Sequence, residues 1–168
     1  MTTAEATTQG LTEQQLGVMY QYTVEAYKTF EKLAESLPNP LAAMTFKQFA
    51  VDERRNRDLI EMKAAMGKSG VRATLGGDNY FQDILEGNLS YREQAEFLIA
   101  RERTMEKKLG EFLRSAPAVD RNLLVYLGAV KRAHAVELER ELELIKGDPD
   151  WFKREDAESR IVNGGNAQ

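Results

Sequence analysis

Two glutamates, one lysine and the chain's single histidine are the residues best suited to chemistry, and each interrupts an apolar helical stripe. Glu53 and Asn56 fall among Phe46, Phe49, Ile60 and Ala64. Glu102 falls among Ala95, Leu98, Met105, Leu109 and Phe112. Lys131 and His134 fall among Leu124, Leu127, Leu138 and Ile145. Thr23 falls among Leu16, Met19, Tyr27, Phe30, Ala34 and Leu37. Spacings of three and four put each set on one helix face, so the polar residues point inward if the apolar ones do. An unpaired buried charge costs several kcal/mol, so these groups must compensate one another. Two solutions are open: ion pairs between the carboxylates and the lysine and imidazolium, or two carboxylates and an imidazole around a divalent cation.

The helices that must position these groups are marked by their ends. Thr12 and Gln15 form a capping box that opens a first helix running to about Leu37. Pro38-Asn39-Pro40 stops it and starts the second, with Asn39 as N-cap and Pro40 at the first helical position. That helix runs to about Met66, where Gly67 and Gly70 end it. Ser90 and Glu93 make a second capping box and open a third helix to about Arg114. Pro117 and Asp120 mark a short connection into a fourth, closed near Lys146 by Gly147 and Pro149. Short connections make each pair an antiparallel hairpin. The link from Gly67 to Asn88 is long, carries Gly76-Gly77 as a turn and a short helix around Tyr80 to Leu85, and joins the hairpins by a crossover. The reading is all-α: residues 1–10 a flexible N-terminus, 11–150 the bundle, and 151–168 a tail, rooted by Trp151 and Phe152 and mobile from Asp156.

Composition narrows the chemistry. The absence of cysteine removes thiolate nucleophiles, disulfides, Fe–S clusters and cysteine zinc sites together. A net charge of −4 with no Lys/Arg-rich block gives a nucleic-acid or anionic-membrane partner no electrostatic support. No apolar run reaches membrane-span length and the N-terminus does not resemble a secretory signal, so the expected location is cytoplasmic.

The stretch Phe46-Lys-Gln-Phe-Ala-Val-Asp-Glu53-Arg-Arg-Asn56 resembles the second-helix pattern of the rubrerythrin-like branch of the ferritin-like superfamily, and the likeness extends over nearly the whole chain. Glu53 stands on that family's Glu and Asn56 on its His. Glu102, within Phe97-Leu-Ile-Ala-Arg-Glu-Arg, matches the lone Glu of the third helix. Phe30-Glu-Lys-Leu-Ala34 matches the first helix's ending, which puts Thr23 on its lone Glu. Lys131-Arg-Ala-His134 keeps the fourth helix's His and replaces its Glu. The resemblance implies a ferritin-like bundle in which two helices each give one Glu and two give Glu-x-x-His. Of those six ligands Glu53, Glu102 and His134 survive.

Lys131 brings positive charge where a cation would sit, so the expected arrangement is a metal-free network of Glu53, Glu102, Lys131, His134, Asn56 and Thr23. The expected cofactor is therefore none, with iron or another divalent metal on Glu53, Glu102 and His134 as the alternative. A di-iron centre would need a substitute ligand. Glu137 lies on His134's face one turn on, whereas Glu25 is about 200° from Thr23 around its helix. Blander roles also fit: His134 as a hydrogen-bonded core residue, Glu102 on a solvated face within Arg101-Glu102-Arg103, and Tyr27 as core packing rather than an electron relay. Arg54, Arg55 and Arg57 beside Asp52 and Asp58 read as helix-surface pairs.

The expected function is non-enzymatic, a binding or assembly module with no catalytic residue. The alternative is a rubrerythrin-like metal-dependent peroxidase or oxidase, or an iron-handling protein. A homodimer is expected, with Tyr22, Phe97 and Ile99 as interface residues and room for an unidentified protein partner.

Overall fold

In the computed structural model the described residues are 10–67 and 79–153. They form four long helices, α1 (Glu13–Ser36), α2 (Pro40–Met66), α4 (Tyr91–Ser115) and α5 (Ala118–Gly147), with a short α3 (Gln82–Glu86) and a closing 3-10 turn at Trp151–Lys153. No strand occurs among the described residues. The helix starts follow local chemistry. Thr12 and Ser90 each accept from the backbone N–H three residues on, and the Gln15 and Glu93 side chains return the bond. Asn39 accepts from the N–H groups of Leu41 and Ala42, with Pro40 leading the helix. Gly76-Gly77, Gly70, the N-terminal residues 1–9 and the tail beyond Lys153 lie outside the described residues.

Cross-helix bonds give the directions. Tyr20 donates to Glu61 and Arg54 to Glu31, so α1 and α2 are antiparallel. Arg103 bonds Glu139 and Arg132 bonds Glu106, so α4 and α5 are antiparallel as well. Between the hairpins, Asn39 reaches the Trp151 carbonyl, Glu53 meets Lys131, and Lys63 meets Asp120, which runs α2 and α5 in opposite directions along their length. The closing turn is tied down as its aromatic residues imply: the Asn39 N–H donates to the Phe152 carbonyl, and the Phe152 ring lies 4.7 Å from that of Tyr91.

The end of the α2–α4 link is fastened to the bundle. Glu25 accepts from the Tyr80 N–H at 2.8 Å, and Arg101 donates to the Tyr80 carbonyl and to Asp83. Phe81 inserts between Tyr22 and Phe30, with ring centroids 5.1 and 6.3 Å away.

The core phase of α1 differs from the expectation. Tyr22, Ala26, Thr29 and Leu33 are buried alongside Leu16, Met19, Thr23, Phe30 and Ala34, whereas Tyr27 is half-buried at the rim. Arg54 and Arg57 stack over the Tyr27 ring at 4.7 and 5.5 Å, so this phenol packs under guanidinium groups. Tyr22 is 2% exposed, which removes it from any interface, and Ile99 packs against the core. Phe97 alone of the three expected interface residues is exposed.

Candidate functional site

All six residues of the expected polar layer are buried: Thr23, Glu53, Asn56, Glu102, Lys131 and His134. Each occupies the inward face of its helix because the apolar residues one turn to either side do so. Arg101 and Arg103 flank Glu102 in sequence but turn outward to Asp83 and Glu139, so the charged run does not expose the glutamate.

Lys131 is the hub. Its ammonium bonds the Glu53 carboxylate and lies 3.6 Å from Oε2 of Glu102. It also stands over the Tyr22 ring, 4.9 Å from the centroid. Burial works against the lysine's charge, but Glu102 and Glu53 outweigh it and hold the ammonium above the ordinary lysine value. Burial likewise works against the Glu102 carboxylate; Lys131 and His134 prevail and hold it below the usual range.

His134 closes the layer with both ring nitrogens. Nδ1 faces Glu102 at 3.4 Å and Glu53 at 3.6 Å, while Nε2 bonds Asp52 at 3.0 Å. An imidazole flanked by carboxylates on both sides favours its doubly protonated form. Burial opposes that charge, but the bonds to Asp52 and Glu102 prevail and push its pKa up to about 9. The ring stacks on Phe49, centroids 4.1 Å apart, which fixes its plane.

The sequence marks Asp52 as a surface partner of the neighbouring arginines, but in the structure it serves His134. Arg57 does pair with Asp58, but Arg54 crosses to Glu31, and Asp52 turns toward α5 to accept from His134 and from Gln48. Asp52 lies one position before Glu53, about 100° around the helix, at the rim of the layer. Neither substitute ligand joins the layer: Glu137 pairs with Arg140, and Glu25 serves the Tyr80 backbone.

Polar atoms left over mark the layer as incompletely satisfied. Oε2 of Glu102 and the Asn56 amide oxygen are buried without a hydrogen bond, although the Asn56 amide donates to Glu53 at 3.4 Å. Burial, with the Glu102 and Glu53 charges, raises the Tyr22 phenol well above its ordinary value, so it stays protonated. Beside Thr23 and Lys131 lies a void of about 10 Å³, bordered by Met19, Tyr22, Met105, Leu109 and Leu127. That is near the lower limit for a single water.

Glu53, Glu102 and His134 each offer a ligand atom within 4.8 Å of the others, so the donor types for one cation are brought together. The fit fails on charge. A divalent ion there would compete with Lys131's ammonium for the same carboxylate oxygens, and the protonated His134 offers no lone pair. The positions of the other three expected family ligands hold a hydroxyl, an amide and the ammonium itself. These residues do not fit a pair of iron ions.

A further buried carboxylate, Glu141, escaped the periodicity although it falls between Leu138 and Ile145 at spacings of three and four. It bonds the Tyr91 hydroxyl, one turn from the end of the bundle core. Burial raises both groups, and the Tyr91 phenol stays protonated.

No family model matches the chain, and neither does any curated protein or any solved structure.

Proposed function

We propose that this chain is a ferritin-like four-helix bundle of the rubrerythrin-like branch in which an ion-pair network stands where a di-iron centre would be. Its role is non-enzymatic, a cytoplasmic binding or assembly module that works through its exterior. The observation that carries this reading is the Lys131 ammonium bonded to Glu53 with Glu102 3.6 Å away. A permanent cation on a covalent tether neutralises carboxylates that would otherwise draw in metal. The doubly bonded His134 supports it further, since both nitrogens are engaged with carboxylates. Of the described residues, no helix is long and apolar enough to cross a membrane, in keeping with action from solution.

The test is elemental analysis of the purified chain after expression in iron- and zinc-supplemented medium. Near-zero metal per protomer is the expected result. Stoichiometric iron overturns the reading in favour of a rubrerythrin-like peroxidase or oxidase, or an iron-handling protein. That second reading rests on the proximity of Glu53, Glu102 and His134, and it requires Lys131 to leave the layer or lose its proton.

A further inference from the structure

Glu53, Glu102, Asp120 and Glu141 are the buried carboxylates among the described residues. Three of them meet a lysine: Lys131 serves Glu53 and Glu102, and Lys63 serves Asp120. Glu141 is 1% exposed and has no ion-pair partner among the described residues. Arg140 stands next to it in sequence but pairs with Glu137 at 2.9 Å. What Glu141 does have is the Tyr91 hydroxyl, which donates to its Oε2, and the Thr45 hydroxyl beside the carboxyl. A carboxylate offers about four acceptor positions, so capacity for further donors remains. Burial, the largest influence on this group, holds its carboxyl above the usual range, as expected of an anion without a counter-ion.

The carboxylate opens on space. Glu141 lines a groove of about 520 Å³ between α2, the C-terminal half of α5 and the closing 3-10 turn, a volume typical of small-molecule sites. Leu41, Met44, Phe49, Leu144 and Trp151 give the groove apolar walls. Those walls are held in place: the Asn39 side chain donates to the Trp151 carbonyl at 2.9 Å, and the Phe49 ring stacks on His134. Glu137, Arg140 and Glu141 are the charged residues of the lining, so negative charge is in excess. An anionic ligand would find Arg140 already taken by Glu137. A bare metal ion would gain nothing from the apolar walls, and a purely apolar molecule would leave Glu141 uncompensated. A protonated amine on an aromatic or aliphatic body satisfies both parts. Its ammonium brings three donors to the carboxylate, and its body buries against the walls.

We propose that this groove is a binding site for a small arylalkyl amine, whose ammonium pairs with Glu141 while its ring and chain lie against Phe49, Trp151 and the aliphatic walls. The proposal deepens the binding-module reading above and rests on it for its biological role, yet amine binding and metal content are separate readouts, so either can fail while the other stands. Trp151 is the chain's single tryptophan and lines the groove, so its fluorescence reports occupancy directly. Titrating the full chain with phenethylamine should give a saturable change, and 3-phenylpropanoate, of similar shape and opposite charge, should give none. Glu141→Gln keeps an acceptor for Tyr91 but removes the charge, and should weaken phenethylamine binding about tenfold or more with unchanged helical circular dichroism. Met44→Arg places a tethered cation in the same groove and should abolish binding. Met44 is 64% exposed, so this variant carries the test even where Glu141→Gln fails to fold. No saturable response to phenethylamine, equal binding of 3-phenylpropanoate, or binding that survives both substitutions overturns the proposal. So does the same fluorescence change on adding calcium or magnesium chloride alone.

Discussion

Two buried lysine–carboxylate pairs join α2 to α5, and they differ in what else they hold. Near one end Lys63 pairs with Asp120, and the same ammonium donates to the Val119 carbonyl while the other Asp120 oxygen accepts from the Leu11 N–H. Asp120 sits in the first turn of α5, where a negative charge is favoured by the helix dipole. Every arm of that pair ties backbone to helix, and Lys63 keeps partial contact with solvent. Mid-bundle, Lys131 and Glu53 are almost wholly buried and hold no backbone group. Around them Oε2 of Glu102 and the Asn56 oxygen go without a hydrogen bond. The end pair fastens backbone to helix, whereas the central layer joins side chains only, and under the reading proposed above it is that layer which stands where a di-iron centre would be.

The sharpest way to break the comparison is to restore the site. Thr23→Glu, Asn56→His and Lys131→Glu together rebuild all six ligands of the proposed family pattern, and the triple variant is expected to bind two irons per chain by elemental analysis, where the natural chain is expected to bind none. Failure to load with the helical signal intact would sever the layer from the ferritin-like pattern. Lys131→Ala alone strands two buried carboxylates and should cost about 3–5 kcal/mol in a urea titration, the range for breaking a buried pair. A neutral outcome would mean the ammonium does not compensate the layer.

The His134 titration comes next in size. Its folded pKa of about 9 lies above the unfolded value of 6.5. The stability it contributes is therefore fully present below pH 6.5 and is lost as pH rises from there through 9. The difference corresponds to about 3 kcal/mol at most, since one unit is worth 1.36 kcal/mol. Asp52→Asn, which removes the carboxylate on Nε2, should flatten that alkaline slope; an unchanged slope would place the proton elsewhere.

At the end pair the effect should be smaller. Lys63→Met leaves the buried Asp120 carboxylate with its Leu11 bond and the favourable end of the α5 dipole, so about 1–2 kcal/mol is expected, with faster hydrogen exchange at the Leu11 amide. A loss as large as that of Lys131→Ala would erase the distinction between the two pairs. Smallest of all, Arg54→Ala at the exposed Glu31 pair should change stability by less than about 1 kcal/mol.

What the sequence determined by itself is what local chemistry specifies. Thr12 with Gln15, Asn39 with Pro40, and Ser90 with Glu93 each place a helix start to within a residue, because a cap and its partner lie within four positions. The inward phase of Glu53, Glu102, Lys131 and His134 followed from apolar neighbours one turn away on both sides. Tertiary structure alone decided the angular margins. Tyr22 and Tyr27 lie five residues apart and both border the α1 stripe, yet Phe81 from the distant link closes over Tyr22 while Arg54 and Arg57 from α2 cover Tyr27 at the rim. Asp52 could turn to its neighbouring arginines or to His134 eighty-two positions away, and only the α2–α5 packing chooses the imidazole. A step of one residue turns a helix by about 100° and periodicity resolves no finer, so residues flanking a stripe take their side from whichever helix packs against them.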